Sequence, residues 1–193
     1  MYKRQNVGRS EQYGDLFPAL ITDWRRQWRS DFPFYFVQLA NFMESKKIQP
    51  DSEWAALREA QTKALKLDQV GMAVTIDIGL ADDIHPKNKQ EVGRRLALVA
   101  LAGSYGKNVS SSAPVFQNYI IKGNKMELDF GQKQDGFQIK GTTLKGFTIA
   151  GPDRVFYPAE AMVHDGKIIL SSTEVPAVSY THLRAHETRH DLV

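Results

Sequence analysis

The sequence predicts an α/β chain: a parallel sheet with flanking helices, followed by a small antiparallel β module. Three observations predict it. Helical and strand-like periodicities alternate over the first hundred residues. The alternation stops at Gly103-Ser104-Tyr105-Gly106. Beyond Ser110-Ser111-Ser112, short strand-like runs are separated by glycine turns.

Tyr13, Leu16, Phe17, Leu20, Ile21, Trp24 and Trp28 recur at steps of three and four, the stripe of an amphipathic helix. Pro18 is tolerable there only near the first turn or at a kink. Phe34-Tyr35-Phe36-Val37-Gln38-Leu39, short and aromatic, reads as a buried strand. Asp51 or Ser52 is placed to cap a second helix through Trp54, Leu57, Ala60, Ala64 and Leu65. Gly71 to Gly79 is a second strand. A third helix is expected from near Pro86 through Val92, Leu96, Leu98, Val99 and Leu101. In the second half, strands are expected at Val115–Ile121, Lys125–Phe130, Phe137–Ile139, Leu144–Ala150 and Lys167–Ser171. Gly123-Asn124, Asp135-Gly136 and Asp165-Gly166 are the turn signals between them. The division is therefore 6–108 for the α/β part and 109–177 for the β-rich module.

Composition narrows the function. No apolar run approaches the roughly 20 residues that span a bilayer, so no membrane role is expected. The absence of cysteine excludes disulfides and thiolate chemistry without fixing a compartment. A net charge of +3, with basic residues scattered and not clustered with aromatics, gives nucleic-acid binding no support.

The stretch that carries chemistry is Asp77-Ile78-Gly79-Leu80-Ala81-Asp82-Asp83-Ile84-His85-Pro86. It lies where a strand's C-terminal end meets the following helix, the place where open α/β sheets bind ligands. A histidine just ahead of a helix start faces the positive end of the helix dipole, which favours the neutral imidazole that a general base requires. Asp82, three residues earlier, is placed to accept the imidazole N–H and fix the tautomer. Asp-x-x-His alone is more often the pattern of a surface-loop histidine beside a helix-capping acidic pair.

From Asn6 to about Pro176 the chain resembles the C-terminal portion of the sialate O-acetylesterases, of the SGNH-hydrolase superfamily. The resemblance is carried by Leu16 to Arg25, Phe34 to Phe42, Leu57 to Gln61, Met72 to Gly79, Asp83 to Leu96 and Leu144 to Ala150. It implies a partial SGNH-type, flavodoxin-like sheet and hydrolysis of acetyl esters on sugar hydroxyls, with an O-acetylated sialic acid or related glycan as substrate. No cofactor is implied. His85 matches the family's catalytic histidine. Superfamily spacing makes Asp82 the preferred partner, while the Asp-Ile-His-Pro string keeps Asp83 beside it. The resemblance also offers Gln38, Asn41 and Asn6, or Arg58 and Gln61, as residues that contact the sugar or order the site, although for Gln38, Asn41, Arg58 and Gln61 the capping of strand and helix ends is the somewhat stronger reading.

The family's serine nucleophile belongs to a Gly-Gln-Ser-Asn-type motif that this sequence lacks, and of its Gln-Gly-Glu-Ser-Asn motif only Asn6 could remain. A Gly-x-Ser-x-Gly elbow is also missing. Ser104 and Ser110 to Ser112 read as linker residues. The chain is therefore expected to be a fragment without esterase activity of its own. Residues 1–5 and 178–193 resemble translated adapter sequence of metagenome-derived chains and are set outside the fold. His182, His186 and His190 recur every four residues there, but no functional metal site is expected.

Asp77 is expected to be a paired buried carboxylate or a site residue; Trp24, Trp28 and Trp54 are expected in packing. Lys87, Lys89, Arg94 and Arg95 read as a solvated helix face. The competing reading is a non-catalytic carbohydrate-binding or interaction module, for which Tyr119, Phe137, Phe156 and Tyr157 are the candidate platform.

Overall fold

A computed structural model describes residues 6–44, 52–111, 114, 116–131, 144–178 and 180–182. They fall into two units, one within residues 1–43 and 52–112, the other comprising Glu44 and residues from 113 onward.

The first unit runs α1 (Ser10–Trp28), β1 (Phe34–Val37), α2 (Glu53–Thr62) with a 3₁₀ turn (Lys63–Lys66), β2 (Val70–Ala73) and α3 (Lys89–Gly103). β1 and β2 pair in parallel, from Phe34 opposite Val70 to Val37 opposite Ala73, as a helical crossover requires. Side-chain alternation splits the faces. Phe34, Phe36, Val70 and Met72 pack with Phe17 and Ile21 of α1 and with Ala64 and Leu67. On the other face, a Cβ on Gly71 would meet Val99 Cγ1 of α3 at 2.4 Å, so this glycine lets the helix lie close on the sheet. Ser52 caps α2, its hydroxyl accepting the Ala55 N–H at 3.1 Å; Asp51 lies outside the described residues.

Pro18 lies inside α1, past its first turn, where it cannot donate to the Gly14 carbonyl, and the helix continues to Trp28. One expectation about the tryptophans is corrected. Trp54 is buried, but Trp24 and Trp28 are 44% and 69% exposed, because two strands cover only part of α1. The indoles stack on each other with centroids 6.3 Å apart, and Trp24 also meets Phe34.

The second unit holds two antiparallel sheets. β3 (Asn118–Lys122), β4 (Lys125–Asp129), β8 (Lys167–Ser171) and β7 (Glu160–His164) form one in that spatial order; β6 (Phe156–Pro158), β5 (Thr148–Ala150) and β9 (Tyr180–His182) form the other. Met126, Leu128, Ile149, Ile168 and Leu170 are fully buried between neighbouring apolar side chains. The β7–β8 hairpin turns on Asp165 and Gly166, both with positive φ, as a two-residue type I′ loop demands.

The sequence reading of this unit needs three corrections. Leu144 to Ala150 is not one strand: Leu144 makes an isolated bridge to Ala161, and β5 begins at Thr148. β6 and β7 are additional strands. The tail also enters the fold, since Val178 is buried in the core and Tyr180–His182 pairs with the free edge of β5. Val115 and Phe137–Ile139, like His186 and His190, lie outside the described residues. Among the described residues no helix is long and apolar enough to cross a membrane.

Candidate active site

Because β1 and β2 are parallel, the chain leaving each emerges at the same end of the sheet. Pairing continues briefly past the strands: the Gln38 N–H donates to the Ala73 carbonyl at 2.9 Å, and the Thr75 hydroxyl to the Gln38 carbonyl at 2.7 Å. The second strand thus ends at Ala73 and not at Gly79, and Thr75 to Gly79 forms a turn.

Asp77 lies in that turn, outside any strand. Its two carboxylate oxygens accept from both terminal nitrogens of Arg95, at 2.5 and 2.7 Å. Arg95 also donates to the Val74 carbonyl at 2.8 Å and, through Nε, to Glu91 at 2.7 Å. Its side chain is only 15% exposed, so it does not belong with Lys87, Lys89 and Arg94 on a solvated face: one edge of α3 turns toward the loop. Hydrogen bonds from Arg94 and then Arg95 hold the Glu91 carboxyl down to about 2, and the Asp77 hydrogen bond first of all raises the Arg95 guanidinium.

The middle of the loop is fastened to the segment after β1. Asn41, 4% exposed, accepts the Gly79 N–H on Oδ1 at 2.7 Å, and the Met43 N–H donates to the Ala81 carbonyl at 3.0 Å. Beyond Ala81 the loop alternates between exposed and half-buried residues. Asp82 is exposed. Asp83 Oδ1 accepts the backbone N–H of His85 at 2.8 Å and lies 3.2 Å from its Nδ1. The first of these contacts, with the imidazole and Lys87 adding to it, lowers the Asp83 carboxyl. The geometry therefore pairs His85 with Asp83, the residue kept second to Asp82 by spacing. His85 is 72% exposed, and among the described residues its Nε2 has no partner.

α3 begins at Lys89, with Asn88 as N-cap accepting the Glu91 N–H at 3.1 Å. Pro86 is thus outside the helix, and His85 precedes the cap by three residues instead of sitting at the opening turn. The break follows from the cap chemistry, since the Asn88 side chain satisfies a first-turn amide.

The remaining residues singled out from sequence lie deeper. The Gln38 amide donates to the Arg58 carbonyl at 3.3 Å. Arg58 is 3% exposed; Gln61 is fully buried and its Oε1 accepts the Leu39 N–H at 2.9 Å. Asn6 is half-buried at the start of the unit, its carbonyl accepting the Arg9 N–H. Thr75, Gly79 and Arg95 support the loop without having been singled out for it. For Arg95 a signal exists: Glu91 four residues earlier on the same helix face. In the second unit Tyr119 is half exposed on edge strand β3, Tyr157 packs into the core, and adjacent Phe156 points to the opposite face of β6. These three do not form one platform. Among the described residues no cluster of histidine and carboxylates is placed to hold a metal.

No family model matches the chain. A carbohydrate acetylesterase from Xanthomonas citri superposes on it with a TM-score of 0.86 and 39% identity, over 94% of this chain and 43% of that one. The architecture is that of an SGNH-like carbohydrate esterase. Sialate O-acetylesterases of mouse (38% identical over 122 residues), rat (33% over 155) and human (34% over 160) cover 53%, 72% and 73% of the chain. The chain belongs to the sialate O-acetylesterase family. It spans 22 to 30% of the length of those curated relatives.

Proposed function

We propose that this chain supplies the histidine–aspartate half of a Ser-His-Asp hydrolase that removes acetyl groups from sugar hydroxyls, with an O-acetylated sialic acid or related glycan as substrate. The observation that carries the reading is the Asp83–His85 contact. One carboxylate oxygen meets both the backbone N–H and Nδ1 of the same histidine, which fixes the ring and favours the Nδ1–H tautomer. Nε2 is then a proton acceptor on an exposed ring.

In this scheme a serine Oγ attacks the acetyl carbonyl while His85 Nε2 takes the serine proton. Collapse of the tetrahedral intermediate breaks the ester bond, and the departing sugar oxygen receives that proton from His85. Water, deprotonated by His85 in turn, then attacks the acyl-serine and releases acetate. The serine is supplied by sequence outside this chain, so the chain by itself does not turn over esters. Gln38 and Asn6 stay with the substrate side of the site.

The test is a chimera in which residues 6–182 replace the matching portion of the Xanthomonas citri esterase, assayed on an aryl acetate and on an O-acetylated sialic acid. Acetate release by the chimera and none by the isolated chain is the expected outcome. A folded chimera without activity, or an active isolated chain, contradicts the proposal.

A further inference from the structure

We infer that Asn41 is a positioning residue, which pins the His85-bearing loop to the end of β1 through Gly79 and does not contact substrate. The inference rests on the reading of His85 as the catalytic base, and concerns how that base is held. Asn41 is 4% exposed, so little of it is available to a ligand, and its Oδ1 is already engaged by the Gly79 N–H at 2.7 Å.

The approach of the two backbones is close. A Cβ built on Gly79 would lie 2.1 Å from the Asn41 carbonyl oxygen, 2.4 Å from Oδ1 and 2.9 Å from the Asn41 nitrogen. Only a glycine lets the loop pass there, and only a short side chain with an acceptor at its tip reaches the glycine amide. An aspartate would offer an oxygen at the same reach but would place a charge in a buried position. An amide provides the acceptor without that cost.

The position of this contact gives it leverage. The loop is anchored at its start by Thr75 to the Gln38 carbonyl and by Asp77 to Arg95, and it ends at the Asn88 cap. The Asn41–Gly79 bond and the neighbouring Met43–Ala81 bond are the last fixed points before Asp82, Asp83 and His85. Past them, Asp83 and His85 hold chiefly each other. Releasing Gly79 lets the pair shift as a unit relative to the sheet, and shifts on the ångström scale in a catalytic group are costly in rate.

The decisive measurement uses the chain itself, ¹³C-labelled at histidine. In Asn41→Ala the His85 imidazole resonances are expected to move and broaden, while those of His164, in the other unit, stay in place. Asn41→Asp, which keeps the acceptor, is expected to leave His85 closer to wild type than Asn41→Ala does. Should Asn41→Ala not fold, Asn41→Ser, which draws the acceptor back from Gly79, is read in the same way. In the chimera, Asn41→Ala is expected to lower kcat on the order of tenfold to a hundredfold with KM little changed. Unmoved His85 resonances in a folded variant overturn the inference, as does a rise in KM with kcat intact, which would make Asn41 a substrate contact. The resonances do not depend on esterase activity, so an inactive chimera would sink the proposed function and leave this test standing.

Discussion

The guanidinium of Arg95 grips both carboxylate oxygens of Asp77, and its Nη1 also holds the Val74 carbonyl, so helix α3 is tied to the exit of β2 by three hydrogen bonds from one side chain. The planar fork of arginine suits this arrangement, and a lysine ammonium does not. Both side chains are largely withdrawn from water, at 15% and 13% exposure. Removing either side chain breaks both hydrogen bonds of the fork at a largely buried position.

Arg95→Ala is therefore expected to lower the stability of the chain by ~3 kcal/mol, as for other buried pairs broken from one side. Arg95→Lys should recover less than half of that. Urea unfolding followed by circular dichroism, with Asp77→Ala and the double variant completing a cycle, measures the coupling. Strict additivity would show that the pair contributes nothing specific.

Gly79→Ala carries a steric cost that is readable in advance. Its Cβ would fall on the Asn41 backbone, which is not free to move aside like a flexible side-chain end. A loss of about 1–3 kcal/mol is expected, in line with other overpacking changes. Gly93→Ala, whose Cβ would meet nothing within 4 Å, serves as the control and should be neutral or mildly stabilising.

Stability should also fall at acid pH through Glu91. Its carboxyl is held at about 2 in the folded chain against an ordinary value of 4.5, so the native state binds the proton less readily than the unfolded state does. The stabilisation is complete above about pH 4.5 and is lost as the pH falls toward 2. Glu91→Gln removes this dependence, and its midpoint in urea should vary less with pH across that window. An identical slope in both proteins would contradict the assignment.

The two aspartates should separate cleanly. In the chimera Asp83→Ala is expected to reduce kcat by about 10²-fold or more, while Asp82→Ala, exposed and not in contact with the ring, changes it by less than about threefold. The reverse ranking would restore the partner that spacing favours.

Much of the α/β half was legible in sequence because its signals are local and mutually consistent. The aromatic run Phe34 to Val37 and the run through Ala73 could only be buried strands, and a helix between them made the pair parallel. The loop that carries His85 was visible through its placement after β2. Its surroundings were not. Spacing weighed Asp82 against Asp83 without knowing that the loop folds back within two residues, so that Asp83 reaches both the backbone and the ring of His85. Pro86 looked like a helix start, but the cap chemistry of Asn88 decided the boundary. Arg95 was hidden for a different reason: its partner Asp77 is distant in sequence, and only the loop's path brings them together. In the β module the hairpin at Asp165-Gly166 was legible. Its first strand, Glu160–His164, was overlooked although Ala161 and Val163 alternate inward. β9 depends on a strand edge thirty residues away, which no local pattern announces.

The most direct measurement is kcat/KM of the chimera on an O-acetylated sialic acid with His85 replaced by alanine. Loss of the proton acceptor is expected to reduce it by about 10³-fold or more while leaving the fold intact. Activity within a few-fold of the parent chimera would contradict the assignment of His85 as the base.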